Sequence, residues 1–394
     1  MNYSRRAFGK LALGAIPMAA TVASGIMSNP TRLSASDDKP NSLINGVQIG
    51  VITFSYLRMP DQSAEATLGY VVQSGISAIE LMDGPLWDFA RQRTGFTPPN
   101  AGGRGGQFGR GGVGGAGRGP AGGGEFGNST IAEQVAKGSW HGQPCATGAP
   151  LLGPGGAAVG RGRGRGQRRP EQIAAAQAAA EETRKWQQSV SMNVFKDLRA
   201  MYNAAGVSIY AVKILDINAS DEELDRQFTI GKTLGANHLT AELPDHSDTS
   251  TALLKKVGDA ALRNGMSAAY HTHLQGSIDC FAEAFAASEG NKSNIDFGHY
   301  VAAGEIGGTP MDFLNKYHDR TASFHIKDRT LPQHCALQVP FGEGDVPIKG
   351  ILQLVEKNKW PIPATIELSY PIPDDSNDVK EVQKSLAYCR SALT

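Results

Sequence analysis

Cysteine is scarce in this chain, and the few cysteines lie far apart. Cys145, Cys280, Cys335 and Cys389 are the four present, and no two form a Cys-x-x-Cys pair, which argues against thiolate zinc sites and dithiol redox motifs. They can form disulfides in an oxidising compartment, although nothing in their spacing demands it. An excess of one charge is missing too. The 38 basic residues are matched by 38 acidic ones, so no global field draws the chain to nucleic acid or to an anionic membrane. Nor is there an apolar run strong enough for a stable membrane span. The charge-free stretch from Leu11 to Ser28 is diluted by glycine, proline and serine, which makes it too weakly hydrophobic.

That stretch reads instead as part of a targeting segment. Ser4, Arg5, Arg6, Phe8 and Lys10 stand in the order of a twin-arginine export motif, and Leu33-Ser34-Ala35 offers a small-residue cleavage site. The protein is therefore expected in the periplasm or otherwise exported. Residues 1–40 are set aside as signal peptide and linker, leaving 41–394 for the fold.

Residues 47–55 and 76–82 read as two strands flanking a helix at 61–74. The composition then changes abruptly. About half of the 48 glycines fall between 101 and 169, interspersed with arginine. Such a segment buries too little apolar surface to offset its ordering entropy and is expected to be disordered. Beyond it, 171–205 reads as one long helix. Strands at 207–213, 238–243, 267–274, 293–297, 321–326 and 363–368 then alternate with helices at 220–234, 249–264, 280–288, 309–318, 347–358 and 376–392. Alternating strands and helices imply parallel βαβ units. Eight strands, with no glycine-rich phosphate turn after the first, favour a closed (β/α)8 TIM barrel over a doubly wound sheet. The Gly/Arg stretch is then an insertion after strand two, a flexible linker rather than an RNA-binding arm.

Strands five to eight end in metal-ligand residue types: His271, Asp296, His325 and Glu367. Strand ends on a barrel rim converge, and that rim is where barrel enzymes keep their chemistry. Two imidazoles and two carboxylates suit one divalent transition metal, with Mn²⁺ the first choice and Zn²⁺, Co²⁺ or Fe²⁺ as alternatives, rather than Ca²⁺. His273 and His299 lie beside these positions and are candidates for proton transfer or sugar binding. Lys327 shares a strand face with His325. Glu80 ends strand two, where it is expected to reach the mouth. The bland readings are a Lys327–Asp328 ion pair and a capping role for Glu80.

The order His271-Thr-His273, Ile295-Asp-Phe-Gly-His299, Phe324-His-Ile-Lys-Asp328 and Ile366-Glu-Leu368 resembles the sugar phosphate isomerase/epimerase superfamily, the xylose isomerase-like barrels. The resemblance covers residues 47–100 and 171–394. It implies one divalent metal held by Glu, Asp, His and Glu, of which Asp296, His325 and Glu367 match three. At the first place this chain carries His271 where many members carry a carboxylate, a form similar to the inosose dehydratase-like, keto-sugar-processing branch. Either His271 or Glu242, at the end of strand four, completes the set. The function expected is a metal-dependent isomerase or epimerase. It would act through an enediolate on a free sugar or keto-sugar, since export and the lack of a phosphate-cradling loop disfavour a phosphorylated substrate. The alternatives are a lyase or dehydratase acting on a keto-sugar, keto-glycoside or cyclitol, and a non-catalytic sugar-binding barrel.

Overall fold

Eight short strands, apolar on nearly every residue, need both faces covered, and a closed ring of parallel strands wrapped in helices covers them. The computed structural model describes residues 39–99 and 170–394. The expected signal segment, apart from residues 39 and 40, and the expected insertion at 101–169 lie outside the described residues. The strands are β1 (Leu43–Ile44), β2 (Val47–Ile52), β3 (Ala78–Met82), β4 (Ser208–Lys213), β5 (His238–Glu242), β6 (Ser267–His271), β7 (Asn291–Asp296), β8 (Thr321–Ile326), β9 (Asp328–Arg329), β10 (Gln338–Val339) and β11 (Ala364–Ile366). Neighbours run β2-β11-β8-β7-β6-β5-β4-β3, and a further β2–β3 pairing closes the ring. All eight of these pairings are parallel. The chain is a TIM barrel. β1 is an antiparallel flap on β2, and β9 and β10 form a separate hairpin beyond β8.

The helices are α1 (Ala64–Gln73), α2 (Asp83–Thr94), α3 (Pro170–Ser189), α4 (Met192–Ala204), α5 (Asp221–Leu234), α6 (Ser250–Arg263), α7 (Ala282–Ala287), α8 (Phe297–Ala302), α9 (Pro310–Tyr317), α10 (Ile348–Asn358) and α11 (Asp378–Leu393). The single helix expected over 171–205 is two. Ser191 leaves the helical region and caps the second, its hydroxyl accepting from the Asn193 N–H, a role serine prefers to a helix interior. α2 was not foreseen. It buries Pro85, Leu86, Phe89 and Ala90 and stops at Gly95, whose φ of 70° suits glycine. Trp186 of α3 stacks on Phe96 at 4.4 Å and meets Trp87 of α2 edge-on at 5.8 Å. This aromatic cluster joins the elements on either side of 101–169.

β7 passes into α8 without a loop. Asp296 ends the strand and caps the helix, its Oδ1 accepting the His299 N–H at 2.8 Å. The Asp-x-x-His spacing is thus the spacing from a helix cap to its third residue. Glycine stands between them because a Cβ at Gly298 would overlap the Lys327 side chain and carbonyl.

Candidate functional site

One ligand-type atom from each of His271, Asp296, His325 and Glu367 lies within 4.8 Å of the others, and all four residues are buried. Register brings them together. Asp296 stands opposite His325 across β7–β8, and His325 opposite Thr365, two residues before Glu367. His271 Nε2 and His325 Nδ1 each approach Asp296 Oδ2 to 3.9 Å. His325 Nδ1 meets Glu367 Oε2 at 2.5 Å. Two buried atoms here, His271 Nδ1 and Asp296 Oδ2, make no hydrogen bond. Orphaned polar atoms of this kind are costly unless something pairs with them, and a nitrogen/oxygen donor set of this make-up fits a divalent transition-metal cation.

The electrostatics favour ligand-competent forms. Burial, with Lys213 and His325 adding, pushes the His271 imidazole well below its ordinary range, so it stays neutral. Burial alone would raise Glu367, but Lys327 and His325 outweigh it and hold the carboxyl well below its usual range. Burial would lower His325, yet the carboxylates of Glu80 and Glu367 on its two nitrogens bring it up to about 10.

Glu80 does not reach the mouth. It is fully buried beneath His325, where its carboxylate accepts from His325 Nε2 at 2.7 Å and from Thr240 Oγ1 at 2.5 Å, with Asn294 Nδ2 at 3.3 Å. Burial acts to raise its pKa, but His325, Lys213 and Thr240 bring it to about 2. The correction follows from register. Glu80 pairs with Ile52 and Ala211 inside the barrel wall, so its side chain points into the interior layer and not over the rim.

Glu242 lies outside the four-residue cluster. Lys213, ending the neighbouring strand, takes Glu242 Oε1 at 2.9 Å, and His273 Nε2 stands 3.5 Å from the other oxygen. This half-exposed chain lines the mouth. Lys327 is buried, with Nζ 2.8 Å from Glu367 Oε1, 3.1 Å from Asp296 Oδ2 and 2.9 Å from His299 Nε2. The Lys327–Asp328 ion pair does not form. Asp328 turns away to accept the N–H groups of Gly342, Gly344 and Val346. His271, His273 and His299 make a second trio of ligand-type side chains beside the first cluster.

Sequence reasoning missed the polar layer beneath the site. His238 Nε2 meets Ser323 Oγ at 2.9 Å, Ser323 donates to Asn294 Oδ1 at 2.8 Å, and Asn294 reaches Glu80 and His325. Its one signal was a polar Ser293-Asn294 pair inside a strand buried on both faces. Arg329, whose Nη1 stands 2.7 Å from His299 Nδ1, was also missed.

The sequence profile of the xylose isomerase-like TIM barrel family matches residues 159–392. A xylose isomerase domain protein from Alicyclobacillus acidocaldarius superposes with a TM-score of 0.50 at 13% identity, covering 88% of this chain and 99% of its own. A sugar phosphate isomerase/epimerase from Parabacteroides distasonis gives 0.49 at 14%, covering 87% and 95%. An inosose dehydratase from Lacticaseibacillus casei is 32% identical over 80 residues, 19% of this chain and 26% of that protein. The chain therefore spans about a quarter of the length of the curated relatives it matches.

Proposed function

The chain belongs to the xylose isomerase-like TIM barrel family, and on that premise we propose that it is a metal-dependent isomerase or epimerase of a free sugar or keto-sugar. The observation that carries this reading is the buried set His271, Asp296, His325 and Glu367, with two of its polar atoms left without hydrogen bonds. These four would hold one divalent cation, Mn²⁺ first, with Zn²⁺, Co²⁺ and Fe²⁺ also compatible. Lewis-acid polarisation of a carbonyl oxygen is the chemistry a cation supplies in such a pocket.

The remaining work falls to side chains of this protein. His273, at the mouth beside Glu242, is placed to take the proton from the carbon next to the substrate carbonyl. The C–H electron pair moves onto the carbonyl oxygen and gives an enediolate. Returning the proton to the opposite face yields the epimer, and returning it to the adjacent carbon yields the isomer. Lys327 ties Glu367 to Asp296 and puts an N–H donor close to the oxygen that gains charge.

A second reading is elimination, in which the same enediolate expels a β-hydroxyl as water. Likeness to an inosose dehydratase over 80 residues supports keeping it. Export by the twin-arginine route would place the substrate outside the cytoplasm. The disulfide-bonded state of Cys335 fits an oxidising compartment. Among the described residues no helix is long and apolar enough to cross a membrane.

The test is deuterium uptake from D₂O into a panel of free sugars, keto-sugars and cyclitols with Mn²⁺ present. Metal-dependent C–H exchange is expected, and loss of water in the product would select elimination. No exchange anywhere in the panel, with metal fully bound, would favour a sugar-binding barrel without catalysis.

A further inference from the structure

His299 meets a cationic side chain at each ring nitrogen. Arg329 Nη1 stands 2.7 Å from Nδ1, and Lys327 Nζ stands 2.9 Å from Nε2. A guanidinium has donors only and keeps its proton throughout the accessible pH range. The nitrogen facing Arg329 must therefore present a lone pair. A neutral imidazole with a bare Nδ1 carries its hydrogen on Nε2. Turning the ring over would set carbon atoms against both partners and lose both contacts, so the ring orientation is fixed as well.

We propose that Arg329 is a positioning residue that locks His299 in the Nε2–H form, so that His299 serves as a hydrogen-bond donor beside the cation site and not as a ligand. The lock decides between the two clusters. The trio of His271, His273 and His299 has the right residue types for an ion, but with Nδ1 engaged by Arg329 and Nε2 protonated, His299 has no lone pair to give. The four-residue set is left as the one cation site among these side chains. The donor's use, gripping a substrate oxygen next to the carbonyl, rests on the function proposed above.

Arg329 is built to hold this position. It is buried, and its Nη2 donates to Ala336 O at 2.7 Å. Its own carbonyl accepts the Asp345 N–H at 2.9 Å, and it pairs with Gln338 across the β9–β10 hairpin. The connecting loop returns tightly, with Cys335 and Ala336 both in the left-handed region at φ 75° and 50°. Thr330 closes it, its Oγ1 donating to His334 O and accepting from the Leu337 N–H, each at 2.7 Å.

The experiment is a long-range ¹H–¹⁵N correlation spectrum of full-length protein labelled at histidine, without metal and then titrated with Zn²⁺, which is diamagnetic. His299, assigned by the spectrum of His299→Gln, is expected to show a bare Nδ1 and a protonated Nε2. A charge-assisted hydrogen bond biases two tautomers by roughly tenfold or more. In Arg329→Met the preference should collapse or reverse, and Arg329→Lys, which restores a donor, should recover it at least in part. On adding Zn²⁺ the His271 and His325 signals should move while His299 keeps its Nε2–H. A protonated Nδ1 in the wild type would overturn the proposal without any variant, so misfolding of Arg329→Met cannot shelter it. An unchanged tautomer in Arg329→Met, or loss of the His299 proton to Zn²⁺, would overturn it equally. If Zn²⁺ moves no histidine signal, the cation site itself fails, and the tautomer result is judged on its own.

Discussion

His325 donates from Nε2 to the buried carboxylate of Glu80 at 2.7 Å while its Nδ1 faces Glu367 at 2.5 Å. Glu80 thus acts on the site from beneath, orienting the ring that Thr240 and Asn294 help it hold. A supporting carboxylate of this kind fixes the tautomer and raises the basicity of a ligating histidine, and its loss costs about 10–100-fold in metal affinity. Glu80→Gln keeps the shape but removes the charge. Calorimetric titration with Mn²⁺ should show a loss in that range. Wild-type affinity in the variant would mean that Glu80 does not support the ring.

The fourth ligand can be settled by a pair of variants. His271→Ala should lose bound metal beyond what a lost supporting partner costs, because it removes one of the four converging groups. Glu242→Ala should retain it, since Lys213 holds that carboxylate at the mouth. Metal content after dialysis gives the answer, and the opposite pattern would return Glu242 to the coordination sphere.

Most of this architecture was readable because barrel strands announce themselves as short apolar runs, and all eight fell where the alternation put them. The ligand-type residues were readable because parallel strands bring like ends together. What escaped was set by contacts distant in sequence. Nothing local says that Lys213 will capture Glu242 and leave His271 to face Asp296. Register, not residue type, buries Glu80 under His325. The break between α3 and α4 turns on one hydroxyl, Ser191, in an otherwise uniform helical stretch.

Residues 101–169 offer a test of independence. Phe96 and Trp87 pack on Trp186 and tie α2 to α3 directly, and loop length has only a weak entropic effect on stability. Replacing 101–169 by a short flexible linker should leave a soluble protein with cooperative melting. Its Tm should lie close to that of the parent. Insolubility, or a broad non-cooperative transition, would show that the segment is part of the core.

His238 predicts a pH dependence of stability. Burial is the main force lowering it from 6.5 to about 4, with Glu80 opposing and His325 assisting. Between those values the unfolded chain binds a proton that the folded chain does not. The His238 contribution therefore grows as pH rises from about 4 to 6.5, to roughly 3 kcal/mol at full size, and is lost as pH falls through 4. Asp328, which burial raises to about 6 against its backbone N–H partners, acts in the opposite sense over part of that window, so the comparison must be internal. His238→Gln keeps a partner for Ser323 without titrating. Its urea-unfolding free energy should rise less steeply with pH than that of the wild type, by up to about 1.4 kcal/mol per pH unit. Parallel curves would show that His238 does not contribute.

The proton chemistry should separate from cation binding at His273. Its side chain is partly exposed at the mouth, it stands outside the four-residue set, and its ring lies 4.8 Å from that of His299. His273→Asn should therefore keep metal bound while substrate C–H exchange falls by roughly 10²–10⁴-fold, the range for a lost general acid or base. Glu242→Gln, which weakens the carboxylate beside His273 without removing the ring, should fall less. Lys327→Met is expected to behave differently, because Lys327 bridges Glu367 and Asp296. It should lose exchange and weaken metal binding together, since two carboxylates are left facing each other without their shared cation. Exchange in His273→Asn at the wild-type rate would remove His273 as the base and move the proton transfer to a group beside the cation site, with Lys327 the first to test.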